Sequence, residues 1–261
     1  MTGAPAIRAA EFPPGIQNFE YRDWIPGLPE GTLTTITFGV FLAVGLIICF
    51  FMFTYRNPQL VPTKKQWIAE SLYGFVRNGV AKEIMGPQGV RFAPYFATLF
   101  CFIALTNMLA IVPMMQISPN SHIAFPAVLG VLSWLIYNAV GVKQHGFFGY
   151  LKASCIPHGT PVLMYPIIIP IEFLSNLVLR PITLAVRLFA NMFAGHMILL
   201  VFILGGVALF EAGSWFMAAS PIAFVMAVVM TFFEFFIQIL QAYVFTLLTA
   251  VYVQGSLAEE H

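Results

Sequence analysis

Residues 215–254 form a run of 40 positions with a single charge, Glu234. A run this long and apolar decides the class of the protein before any motif is read. As a helix it would reach about 60 Å at about 1.5 Å per residue, twice a hydrocarbon core of about 30 Å. It cannot be one upright crossing. Either two short spans share it, or one long helix is tilted, bent or continued beyond the bilayer. Its one proline, Pro221, lies near the start, so no hairpin signal divides the run and one long, steeply tilted helix is expected. The stretch before it, 161–210, poses the same problem, interrupted by Glu172, Arg180 and Arg187, and LFEAGSW (209–215) is the turn between them.

Three shorter spans precede these two. Leu33 to Phe53 is free of charge and defines a span over 33–55; 92–112 and 122–142 are the second and third, with Pro126 near the start of the latter, where its ring is best tolerated. Charged residues make up 9% of the chain, far below the roughly 25% of a soluble domain. The expected fold class is therefore an all-α integral membrane protein of one domain, with five transmembrane helices. A net charge of +1 gives no reason to expect a nucleic-acid partner. Cys49, Cys101 and Cys155 are too scattered for a disulfide framework, and no residues have metal-ligand spacing. There is no phosphate loop and no nucleophile motif, so no cofactor is expected and the chain does not itself hydrolyse a nucleotide.

Charge sets the expected orientation. Residues 56–91 carry Arg56, Lys64, Lys65, Arg77, Lys82 and Arg91 against Glu70 and Glu83, whereas residues 1–31 hold only Arg8 and Arg22 among four acids and five prolines. Basic short loops stay cytoplasmic. The tail 1–31 is thus expected outside and the C-terminus inside, with Lys143 and Lys152 on the cytoplasmic face. Within the first loop, Ile68, Leu72, Val76, Val80 and Ile84 recur every four residues, which predicts an amphipathic interfacial helix over 64–85.

Polar residues inside the spans are few and patterned. Projected at about 100° per residue, Glu172, Asn176, Arg180, Thr183, Arg187 and Asn191 share one side of the fourth helix. Ala190 and Ala194 flank that side and would let a partner helix approach closely. Pro181 is expected to bend the helix, and His196, nine residues after Arg187, points away from it. On the last helix Glu234, Gln238, Gln241 and Tyr252 line up at helical period. Charges at mid-bilayer cost about 2.5 to 3.5 kcal/mol each even on the lenient insertion scale, and they mark ion pathways or partners. A structural alternative pairs Glu234 with Arg180, Arg187 or His196; Asn107 and Asn138 read as inter-helix hydrogen bonders.

The segments RPITLAVRLFANMFAGH (180–196) and FEFFIQILQAYVFTLLTAVYV (233–253) together resemble the a subunit of F-type rotary ATP synthases. The resemblance covers most of the chain and implies a proton-translocating subunit of a bacterial plasma membrane. Its partners would be a ring of c subunits, the b subunits of a peripheral stalk, the rest of the synthase and the lipid bilayer. By position, Arg187 matches the family's essential arginine facing the ring carboxylate, Asn191 the asparagine one turn along, and Gln241 the glutamine near the arginine. His196 stands where bacterial members often have Glu, and Glu234 where they often have His. Glu172 lies one residue out of register with the acid many relatives carry before the arginine.

Two proton routes follow as expectations: an outer one along His196, Glu234 and Gln238, and an inner one along Arg180, Asn176 and Glu172. A secondary transporter with an arginine anion clamp is the rival reading, but it predicts inverted repeats that the sequence lacks. A structural scaffold whose charges merely pair with partner helices is a third.

Overall fold

The computed structural model describes residues 35–56, 58–111, 118–155, 164–211 and 214–257, among which there are helices and no strands. The expected tail 1–31 lies outside the described residues. The α-helices are α1 (Thr35–Thr54), α2 (Lys64–Val76), α3 (Glu83–Met85), α4 (Ala93–Met108), α5 (Ala124–Cys155), α6 (Tyr165–Leu174), α7 (Arg180–Glu211) and α8 (Ser220–Leu257). Five helical runs are long and apolar enough to cross a membrane: Thr37–Thr54, Lys64–Met108, Ala124–Leu151, Tyr165–Glu211 and Met217–Leu257. This is an all-α integral membrane protein.

The run Lys64–Met108 is not straight. Thr63 caps α2 by accepting the Gln66 N–H, and a π-helical stretch, Arg77–Lys82, joins α2 to α3. Gly86 then takes φ +65°, and a 3-10 stretch, Gly86–Phe92, leads into α4. Gly89 lies directly against the Ala81 carbonyl, where no larger residue fits. The apolar stripe expected to rest on lipid is accordingly divided. Val76 and Val80 are fully buried in the protein core, while Trp67, Ile68 and Phe75 remain exposed. The division begins inside α2, whose buried face is Gln66, Ala69 and Val76, beside Ile68 rather than through it; the π stretch then shifts burial onto Ala81 and Met85.

The core lies where α4, α5, α7 and α8 meet, around Phe96, Ile103, Tyr137, Leu184, Leu188, Phe245 and Val253. α7 packs chiefly on α8 and then on α5, and α4 packs chiefly on α8. α1 stands apart. Of its described side chains only Ala43 and Thr54 are buried, and a wholly apolar cleft of about 520 Å³ separates it from α4, with Leu72 and Ile239 completing the walls. The third span, expected to end at 142, continues as helix to Cys155 with a break at Gly146. Each of the two long regions contains one continuous helical run, α6 through α7 and the 3-10 stretch Ser214–Ala219 into α8.

Candidate functional site

α7 has two faces. Leu184, Leu188, Met192 and His196 recur every four residues and are buried against the bundle. Thr183, Arg187, Ala190, Asn191 and Ala194 are exposed. Arg187 makes no hydrogen bond or ion pair among the described residues, so its charge is left without a counter-ion there. The small side chains Ala190 and Ala194 leave the surface beside it flat enough for a second helix to come close.

One turn beyond Arg187, the Asn191 amide donates to Gln241 Oε1 on α8 at 2.6 Å. From there the polar line turns inward along α8. Gln241, Gln238 and Glu234 are all buried, and Gln238 Nε2 donates to Glu234 Oε1 at 3.3 Å. Gly195 makes room for this carboxylate: a methyl group there would meet Glu234 Cγ at 3.3 Å. A cleft of about 190 Å³ between α7 and α8 is lined by Asn191, Ala194, Gly195 and Glu234. Several waters fit in it at about 30 Å³ each. It connects the exposed α7 face with a buried carboxylate.

Behind Gln238 lies a buried network that links α4, the 3-10 turn Pro119–Ser121 and α8. Asn107 Nδ2 donates to the Gln238 carbonyl at 3.2 Å. Asn120 Nδ2 donates to Asn107 Oδ1 at 2.6 Å and to Thr106 Oγ1 at 3.0 Å. Asn120 Oδ1, Gln238 Oε1 and Gln241 Nε2 are buried without a protein partner. Buried polar atoms in this condition are normally satisfied by ordered water.

A second cluster forms around Asn176, in the π-helical stretch Ser175–Leu179 between α6 and α7. In π register the Arg180 N–H bonds to the Ser175 carbonyl. The next carbonyl, Asn176, would need an N–H from residue 181, which is a proline and has none. Tyr137 of α5 fills the vacancy by donating its hydroxyl to that carbonyl at 2.9 Å. The Asn176 side chain donates to Ser154 O at 2.6 Å and to Glu172 Oε2 at 3.3 Å. Arg180 sits over the Tyr252 ring, 5.0 Å from its centroid.

The single polar side expected for the fourth helix is thus two sites. Glu172, Asn176 and Arg180 face α5 and α8, whereas Thr183, Arg187 and Asn191 lie on the open face. Glu172 and Asn176 are separated from Arg187 by the π stretch, across which a projection at uniform α pitch carries the wrong angle; Arg180 follows the stretch and joins them through its guanidinium over Tyr252.

A family model described as ATP synthase A chain matches residues 37–254. The chain belongs to this family. ATP synthase subunit a of a Nocardioides species is 40% identical over 276 residues, covering 99% of both chains. The Rhodococcus erythropolis subunit a is 43% identical over 219 residues, covering 83% of this chain and 80% of its own. That of Streptomyces lividans is 42% identical over 223 residues, covering 83% and 76%. Family membership makes the chain a proton-translocating membrane subunit of the ATP synthase complex rather than an enzyme on its own.

Within this family member, Asn107 bonds between helices as expected, but both partners of Asn138, Trp134 O and the Tyr150 hydroxyl, lie on α5 itself. Sequence reasoning missed Tyr137, Ser154 and Asn120. An asparagine in a PNS turn carries no periodic signal, and the need for Tyr137 becomes visible only once the helix before Pro181 is known to be π.

Proposed function

We propose that this subunit provides two offset half-channels and an arginine that drives deprotonation of a carboxylate on a ring of c subunits. The observation that carries the reading is the placement of Arg187: exposed, without a counter-ion among the described residues, and one turn from the cleft that holds Glu234.

A carboxylic acid on a ring helix crosses lipid when neutral and is held back when ionised. A guanidinium at about 4 Å favours the ionised form by about 4 kcal/mol at an effective dielectric of about 20, roughly a thousandfold in proton affinity. That is enough to release the proton into a polar route. Lysine could surrender its own proton in such a place, whereas arginine keeps its charge. The same charge repels hydronium and so separates the two routes. A proton crossing 100 mV delivers about 2.3 kcal/mol, which a leak would dissipate.

In this reading His196, Glu234 and Gln238 form the outer route, with the Asn191–Gln241 bond beside the arginine. Glu172, Asn176 and Arg180 form the inner one. The basic residues of 56–91 support a cytoplasmic position for that loop and the C-terminus, and an outer position for the N-terminus, in a bacterial plasma membrane. The exposed side of 64–85, with Trp67 and Phe75, is available to lipid and to the b subunits of a peripheral stalk.

The test is Arg187→Ala in the assembled synthase, reconstituted into vesicles. ATP-driven proton pumping is expected to vanish while assembly is retained, and Arg187→Lys is expected to restore little of it. Robust pumping by the alanine variant would overturn the assignment.

A further inference from the structure

The part of α5 beyond Gly146 belongs to neither proton route, yet it is built into one of them. Gly146 takes φ +72° and ψ 165°, a backbone that residues with side chains rarely adopt, and the helix breaks there. After the break the chain lies back on itself. The Tyr150 ring rests on Gly141 so closely that a methyl group at 141 would overlap it, and its hydroxyl donates to Asn138 Oδ1 at 2.9 Å. One turn on, Ser154 takes the Asn176 amide on its carbonyl at 2.6 Å and on its hydroxyl oxygen at 3.3 Å.

Asn176 is 8% exposed and is held at both its side chain and its main chain. Nδ2 is divided between Ser154 and Glu172, and the carbonyl is taken by Tyr137. A flipped amide would turn Oδ1 toward the Ser154 carbonyl and the Glu172 carboxylate, both acceptors, so the orientation is determined. Oδ1 is left buried with no partner. It accepts and cannot donate, so the group it awaits is a proton donor, for which water is the available species.

We propose that residues 147–155 are a positioning strap for the inner route: through Ser154, opposite Tyr137, the strap fixes Asn176 so that its Oδ1 holds a water beside Glu172. The inference rests on reading Glu172, Asn176 and Arg180 as the inner route. The charged and titratable groups around the Asn176 cluster are Glu172 on α6, Arg180 on α7, Tyr137, Tyr150 and Cys155 on α5, and Tyr252 on α8. Ser154 meets Asn176 through its carbonyl and its hydroxyl, both uncharged, so its part is to orient.

The experiment uses the assembled synthase in proteoliposomes, carrying Cys49→Ser and Cys101→Ala so that Cys155, buried next to Glu172, is the only native thiol of this subunit. Gly141→Ala is expected to lift the strap. Maleimide labelling of Cys155 then rises severalfold. ATP-driven pumping falls about tenfold, the equivalent of one lost hydrogen bond in the rate. The dependence of pumping on pH changes only for the compartment facing the 56–91 loop.

If Gly141→Ala does not assemble, Tyr150→Ala removes the seated ring without adding volume and is read the same way. Tyr150→Phe, which keeps the ring, recovers most of the pumping lost in Tyr150→Ala. Asn176→Leu separates the two ideas. Unchanged pumping in Asn176→Leu removes the inner route itself. Impaired pumping in Asn176→Leu, together with a labelled Cys155 and wild-type pumping and pH profiles in Gly141→Ala, overturns the strap while leaving the route in place.

Discussion

Glu234 has one neighbour that sets its space and one that sets its orientation: Gly195 lies against its Cγ, and Gln238 donates to its Oε1. Glu234→Gln removes the titratable group but keeps the size, so assembly is expected to be normal and proton uptake slow; an unchanged uptake rate in reconstituted vesicles would take Glu234 out of the route. Gly195→Ala brings a methyl to 3.3 Å from Glu234 Cγ, a contact relieved by a shift of a few tenths of an ångström. Gly195→Val adds bulk within the cleft shared with Asn191. Pumping is therefore expected to fall modestly with alanine and severely with valine, and equal rates in the two would mean that the cleft is not a path. The carboxylate and the amides were legible in the sequence because helical period aligns them. The glycine was not, since its role is to be absent where another helix needs room.

Between residues and the bundle stand the two π stretches, and the second creates a hydrogen-bond requirement that sequence periodicity does not show. Pro181 removes the donor that the Asn176 carbonyl requires, and Tyr137 replaces it. Tyr137→Phe leaves that buried carbonyl unpaired and is expected to cost about 1–3 kcal/mol. Pro181→Ala returns an N–H at the position π register calls for, so in the double variant the cost should shrink, a coupling of about 1 kcal/mol. Thermal unfolding of the purified complex, followed by thiol labelling of this subunit, measures it; strictly additive losses would mean that the two residues do not share that carbonyl. The continuation of α5 to Cys155 was hidden for a different reason. Lys143, His145 and Gly146 end the apolar run, so hydropathy stops close to the break at Gly146 and gives no sign of the second helical piece that follows it to Cys155. In 64–85 the four-residue repeat was visible, but which part of it meets lipid depends on how α2 is seated on the bundle, with Gln66, Ala69 and Val76 turned in, and on the π stretch that carries burial on to Ala81 and Met85.

At the scale of the whole molecule, an integral membrane subunit carries a permanent charge on an open face and keeps its second long helix, α8, polar on the side turned inward. A half-channel reading makes this subunit incomplete by itself. Reconstituted alone it is expected to pass few protons, and passive flux should appear when a c ring is added; equal flux with and without the ring would favour a self-contained transporter. Sequence alone determined that the chain lives in a membrane, that it crosses by helices, and that Arg187 is the charge most in need of explanation. These follow from length and local chemistry: a long run without charge has no other stable place than lipid, and few groups can offset a guanidinium in it. Only the tertiary structure decided that the polar side of the fourth span is two sites, that Asn107 and Asn120 stand behind Gln238, and that α5 returns to grip Asn176. Those depend on hydrogen-bond register and on residues 12 or more apart meeting across helices, as in Asn120 with Asn107 and Asn176 with Ser154, and neither is written in the spacing of a single segment.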